Sequence, residues 1–270
     1  MALGLGIAGG TLGTAASQIM PWSPSAGKAL AFCAAAAIGC VPVLSRGNRA
    51  KKIQDWTRLR SVSEALKNEV YLYLAKVTPY DTGNVQRTLL ERSGRIRADA
   101  ADLLGSTEGL LPVARRLPAV SDAASYAEVR LKGQLTGYYR PKAREMNRLL
   151  GRVQRVEILL GIAGALLAAA AGTWEVGQLA AWVAVTATVG AAVSAHSSAA
   201  KYAYQQTEFS RTADELQRIL DTWELDRANG VQDDNAFVER CEHVISVLND
   251  TWMVKWASDT ESVLPDEGLQ

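Results

Sequence analysis

Four stretches of this chain carry no charged side chain, residues 2–20, 29–45, 158–174 and 176–195, and they come as two pairs roughly 150 residues apart. Long uncharged segments suit lipid, where a helix satisfies every backbone polar group internally. The two pairs also echo one another. Leu5-Gly6-Ile7-Ala8-Gly9 recurs as Leu160-Gly161-Ile162-Ala163-Gly164, and Thr57, Glu64 and Leu66 line up with Thr207, Asp214 and Leu216 at a constant offset of 150. The pattern reads as a duplicated unit, an apolar helical hairpin followed by a polar helix.

Crossing about 30 Å of hydrocarbon takes about 20 residues at 1.5 Å each, and two of the stretches hold only 17. Ala and Gly contribute little transfer energy, so Ala-rich hairpins buried in a soluble bundle stand as the alternative. Against it weigh the absence of charge over four separated segments and the short links within each pair. Pro21-Trp22-Ser23-Pro24 and Trp174-Glu175 each place a Trp where an interfacial anchor belongs. Lys28 and Arg46 extend the second stretch by snorkelling. Residues 1–10 hold no Lys or Arg, so the first stretch lacks the basic start of a signal peptide and reads as a retained span. Cys33, Cys40 and Cys241 are an odd set, two of them within an apolar stretch, which argues against a disulfide framework.

Basic residues give an orientation. Arg46, Arg49, Lys51, Lys52, Arg58 and Arg60 follow the second stretch against one Asp55, and Arg140, Lys142, Arg144, Arg148, Arg152 and Arg155 precede the third against Glu145 and Glu157. The positive-inside rule places residues 46–157 and 196–270 in the cytoplasm, both hairpin tips outside and both termini inside, in the inner (plasma) membrane. Beside apolar spans such clusters favour phospholipid headgroups over nucleic acid. The candidate contacts are Arg46, Arg49, Lys51, Lys52, Arg148, Arg152 and Arg155.

The remaining sequence patterns as helix. Residues 46–77 carry Ile53, Trp56, Leu59, Val62, Leu66, Val70 and Leu74 as a stripe, ending at Thr78-Pro79-Tyr80-Asp81-Thr82-Gly83. A second helix covers 84–104, and 109–118 reads as a loop or a short helix kinked by Pro112. A third starts at Ser121 or Asp122 with Tyr126, Val129, Leu131 and Leu135 on its apolar side, running on into the third span. Residues 197–226 form another, with Phe209, Leu216, Ile219, Leu220 and Trp223 inward, then a polar turn, a last helix over 235–257 and an acidic tail after Ser258. The expectation is an all-α integral membrane protein with two tandem transmembrane hairpins, four spans and long cytoplasmic helices, divided as 1–105 and 106–270.

Chemistry is sparse. No dinucleotide fingerprint and no phosphate-loop lysine occur, and the two histidines, His196 and His243, lie far apart without ligand spacing around them. Asp233 and Asp234 read as a solvated acidic turn. An enzyme is not expected, nor a cofactor or metal. Gly6 with Gly10 and Gly9 with Gly13 are small-xxx-small pairs, and Gly161 and Gly164 repeat the theme, allowing close helix approach within one chain or between subunits. Thr11, Thr14, Thr186 and Thr188 are the candidate pore-lining hydroxyls; no ionisable group sits mid-span, which disfavours a proton relay or voltage sensor.

The run Tyr126-x-x-x-Arg130-Leu131-x-x-Gln134-Leu135-x-x-Tyr138-Tyr139-x-x-Lys142-Ala143, leading through Arg-rich sequence into a Leu/Gly-rich hairpin, resembles the SLATT family of bacterial two-transmembrane domains. Tyr204, Thr207, Ala213 and Leu216, and later Phe237, Glu242, Val247, Trp252 and Trp256, are in keeping, while Trp56, Arg60 and Glu64 look like a sister version. The resemblance implies a membrane effector in a bacterial conflict or stress response, pore-forming and oligomeric. With no fused sensor, a nucleotide-linked activator would be a separate protein. A non-conducting membrane scaffold is the other reading.

Overall fold

The computed structural model describes the chain except residues 1, 46–48, 108, 110–115, 175–176, 232 and 262–270. Every regular element among the described residues is a helix: α1 (Ala2–Ile19), α2 (Pro24–Ser45), α3 (Arg49–Ala75), α4 (Val85–Ala98), a 3₁₀ turn (Ala101–Ser106), α5 (Ala123–Trp174), α6 (Gly177–Ala200), α7 (Tyr202–Ala228) and α8 (Asp234–Glu261). They gather into two compact units, one of Met1–Arg49 with Arg144–Gln206, the other of Ala50–Ala143 with Thr207–Gln270. Each unit is assembled from two separate segments of the chain, and each passage between them falls inside a helix: α3, α5 or α7.

The first unit is built on small residues. Pro24 occupies the first position of α2, where its missing N–H costs nothing. On α1, a Cβ on Gly9 would come within 2.5 Å of Ile38 Cγ1 and 3.2 Å of the Ala34 carbonyl oxygen, so only glycine lets α1 lie this close to α2. Ala16 and Ala34 are buried in the same seam, and α1 also packs against α6. Gly164 of α5 meets Thr186 of α6, where a Cβ would lie 3.0 Å from the Thr186 hydroxyl. Phe32, Ile158, Leu159 and Leu166 point outward instead, each more than 60% exposed.

The second unit has a conventional core. On α7, Phe209, Thr212, Ala213, Leu216, Ile219, Leu220 and Trp223 are buried at three- and four-residue steps, the expected apolar face. Helix α3 departs from expectation. Trp56 is 59% exposed, and the fully buried positions are Glu69, Leu72 and Ala75. Trp56 instead lies under the Arg60 guanidinium, 5.6 Å from its ring centroid. The helix ends where foreseen, at Lys76 in the left-handed region (φ 57°) before Thr78-Pro79. Asn84 caps α4 by accepting from the Arg87 N–H, and α4 stops at Ala98, short of the expected 104, with the 3₁₀ turn continuing. Lys201 (φ 52°) interrupts the expected helix over 197–226, separating α6 from α7. Part of the expected 109–118 loop and the tail beyond Glu261 lie outside the described residues.

Candidate functional site

The family-like run of residues lies at the N-terminal end of α5 and explains its own spacing. Asp122 caps the helix through a reciprocal box with Ser125. Tyr126, Arg130, Leu131, Leu135 and Tyr139 are then all buried. In a regular α-helix, at 100° per residue, Tyr139 would sit roughly 140° round the axis from Tyr126. The chain answers with two wider turns, Ala127–Leu131 and Leu135–Tyr139, in which the Lys132 N–H bonds the Ala127 carbonyl and the Arg140 N–H the Leu135 carbonyl, five residues back. Tyr126, Arg130, Leu135 and Tyr139, at steps of four, five and four, thereby share one face. Val129, assigned by α-period reasoning to that face, is turned outward.

What this face holds is a buried ion pair. The Arg130 Nε donates to Glu242 Oε1 at 2.9 Å and its Nη2 to Oε2 at 3.1 Å, while the Tyr126 hydroxyl donates to the same Oε1 at 2.8 Å. The two charged side chains are 4% and 3% exposed. The guanidinium stacks over Tyr71, 4.5 Å from the ring centroid, with Glu64 Oε2 at 3.8 Å. Burial works against the Arg130 charge, but the Glu242 hydrogen bond and charge outweigh it and hold the guanidinium more firmly protonated than usual. Aromatic rings enclose the cluster: Tyr126 meets Tyr71 and Phe237 edge-on, and Phe237 stacks on Trp223 at 4.4 Å.

A second carboxylate is gripped in the same way. Arg92 Nε and Nη2 each donate to Glu69 at 2.8 Å, and the Tyr80 hydroxyl donates to Glu69 Oε2. Here the arginine side chain is 40% exposed and the carboxylate 7%. Burial raises the Glu69 pKa, yet the hydrogen bonds from Arg92 and Tyr80 and the Arg92 charge carry it below the ordinary value. Burial and Glu69 push the Tyr80 hydroxyl up. Between the clamps opens a groove of about 740 Å³ whose lining includes Asn68, Arg92, Arg240, Glu242 and His243. The Asn68 Oδ1 is buried there with no hydrogen-bond partner among the described residues. Cys241 is fully buried, and burial raises its thiol pKa, which disfavours the reactive thiolate.

In the first unit, Gly9 and Gly164 make close intrachain contacts and Gly13 an ordinary one with Ala34, while Gly6, Gly10 and Gly161 have open space where a Cβ would be. Thr11, Thr14, Thr186 and Thr188 all donate their hydroxyls to carbonyls of their own helices. Arg148, Arg152 and Arg155 are exposed; Arg46 and the side chains of Arg49, Lys51 and Lys52 lie outside the described residues. His196 pairs with Tyr202, whose hydroxyl is 3.4 Å from its Nε2. Asp233 bonds the Ala236 N–H and Asp234 the Trp223 indole, so both cap structure. Among the described residues no His/Cys/Asp/Glu group could hold a metal.

Sequence reasoning placed Tyr126 on an apolar helix face and found Arg130 and Glu242 only as parts of a resemblance. It missed Glu69 and Arg92 and read Tyr80 only as part of the turn that ends α3. A signal for the first set existed: a four-five-four spacing of Tyr, Arg, Leu and Tyr is too wide for an α-helical stripe and calls for expanded turns.

Three helical stretches are long and apolar enough to cross a membrane, lying in Pro24–Val41, Ala123–Trp174 and Leu179–Ala228, and the apolar windows of the latter two hold no buried residue. The helix α1, rich in Gly and Thr, is not among them. Such a molecule is of the membrane-associated all-α class, with a second, polar helical unit built around a buried ion pair. Residues 126–252 match the family model of the SMODS and SLOG-associating 2TM effector domain 1, and residues 1–87 match a protein family of unknown function, DUF4231. Over residues 126–252, just under half of its length, the chain is thus similar to the SLATT family. No curated protein and no solved structure matches it.

Proposed function

We propose that this protein is an oligomeric, pore-forming membrane effector that crosses the inner membrane four times as two tandem hairpins, α1–α2 and the C-terminal part of α5 with α6. Its termini and second unit lie in the cytoplasm. It performs no catalysis of its own and answers to a separate, nucleotide-linked activator in a bacterial conflict or stress response. The observation that carries this reading is the exposure of the apolar windows. Helices without a buried residue in their most hydrophobic stretch cannot be stable in water, because contiguous apolar surface of that extent drives association or insertion. Inclusion of α1 rests on its lack of charge and its glycine-tight packing on α2. Ion flux from liposomes holding the purified protein, with its oligomeric size in detergent, tests the reading. Absence of flux under every activating condition, added nucleotides included, sinks the pore.

One observation favours a non-conducting scaffold as the second reading. The four threonines best placed to line a pore spend their hydroxyl protons on their own helices, leaving only acceptor oxygens to face a lumen. Topology is checked by external thiol labelling in a background lacking Cys33 and Cys40: Ser23→Cys labels from outside and Asn229→Cys does not.

A further inference from the structure

Ahead of its apolar stretch, α5 carries arginines at a helical interval. Arg144, Arg148, Arg152 and Arg155 follow at steps of four, four and three, which gathers them within about 80° of one another, and all four are exposed. Met146, the buried residue of this stretch, lies roughly 160° round the axis from Arg148. The helix is therefore held by one side and offers Arg148, Arg152 and Arg155 on the other. Among the described residues none forms an ion pair with Arg148, Arg152 or Arg155; the Arg155 Nε donates to the Gly151 carbonyl, one turn back, which leaves its Nη groups outward. Exposed apolar side chains begin immediately after, with Val156, Ile158 and Leu159.

We infer that this arginine ladder binds anionic phospholipid headgroups, an inference that rests on the membrane-spanning reading of α5. The dimensions fit. At 1.5 Å per residue, Arg155 stands about 4.5 Å and Arg152 about 9 Å before Ile158, and the headgroup layer on each face is about 5–8 Å deep. Both guanidinium groups thus reach the phosphates, where the planar fork accepts two oxygens at once. Arg148, about 15 Å out, lies within a Debye length, about 10 Å, of the charged surface. A lipid carrying net negative charge is selected over a zwitterionic one, whose choline or ethanolamine cancels the field.

The test uses the full chain in neutral detergent with fluorescent phosphatidylglycerol, with phosphatidylcholine and inorganic phosphate as the other arms. The native protein should prefer phosphatidylglycerol, and the variant Arg148→Gln/Arg152→Gln/Arg155→Gln should lose that preference by on the order of a hundredfold, at roughly fivefold per charge. Arg218→Gln, an exposed arginine elsewhere, should leave it intact. Equal binding of the two lipids by the native protein, an unaltered preference in the triple variant, or displacement by millimolar phosphate alone would each overturn the inference. Carbonate extraction separates this from the reading beneath it: native protein released from membranes by carbonate removes the spanning reading itself, whereas retention with no lipid preference removes only the ladder.

Discussion

The two units solve opposite problems. The first leaves Phe32, Ile158, Leu159 and Leu166 outside and packs glycine and alanine inside; the second leaves Lys and Glu outside and buries rings and even an arginine–glutamate pair. Each is sensible only in its own solvent. In lipid there is nothing to gain by hiding leucine, so helices meet through small residues and van der Waals contact. In water the apolar core does the work, and a buried charge must be matched by every partner it can find. The comparison predicts different weak points in the two units, and each can be struck separately.

The largest effect belongs to the buried pair. Glu242→Leu leaves the Arg130 charge inside the core without its carboxylate and should destabilise the second unit by about 3–5 kcal/mol. The double variant Arg130→Met/Glu242→Leu should recover most of that loss, since an apolar pair of similar volume is about neutral. Denaturant titration followed by the fluorescence of Trp223, stacked on Phe237, reads both. A double variant as unstable as the single one would mean that Tyr126, Tyr71 and Glu64 depend on the pair for more than charge balance.

Next comes the seam of the first unit. Gly9→Leu must push aside Ile38 and the Ala34 carbonyl, an overpacking worth about 1–3 kcal/mol. Oxidative cross-linking between cysteines placed across α1 and α2 should fall, while Trp223 fluorescence in the second unit stays unchanged. Loss of both signals would deny that the units fail separately.

These two sites also mark what could be read from the chain. The apolar hairpin helices, the α7 face, the end of α3 and the start of α4 follow rules of period and capping, local enough to be seen in one dimension. The clamps are not local. Glu69 and Arg92 are 23 residues apart and Arg130 and Glu242 112 apart, and nothing in a single sequence couples them. The α3 stripe was misplaced for a related reason: periodicity favours Trp56 and Leu66 over Glu69, but Glu69 buries because Arg92 and Tyr80 satisfy it. The expanded turns of α5 mislead a strict 3.6-residue reading at Val129, though the spacing of Tyr126, Arg130, Leu135 and Tyr139 records them.

The outer clamp should be softer than the inner one. Glu69→Gln removes a charge whose partner, Arg92, can turn to water, and should cost about 1–2 kcal/mol near neutral pH. Its pH dependence has a definite sign. The folded pKa of Glu69 lies below its ordinary value of 4.5, so its contribution is complete above about 4.5 and fades as pH falls through the lower folded value. The native protein should therefore lose stability in acid more steeply than Glu69→Gln over that window. Parallel curves would show that Glu69 is not held ionised by Arg92 and Tyr80.

The smallest effect is the sharpest on the comparison. Gly9 and Gly10 are neighbours on α1, yet only Gly9 faces α2; at Gly10 a Cβ meets nothing. Alanine at position 9 should open the α1–α2 seam, whereas Gly10→Ala should leave the hairpin intact or firm it by about 1 kcal/mol, the usual difference in helix propensity. Oligomeric size in detergent then separates two uses of the open face. If α1 touches only lipid at Gly6 and Gly10, Gly10→Leu leaves assembly unchanged. If subunits meet there, a side chain of that size separates the backbones that glycine allows to touch, and the oligomer dissociates while each hairpin survives.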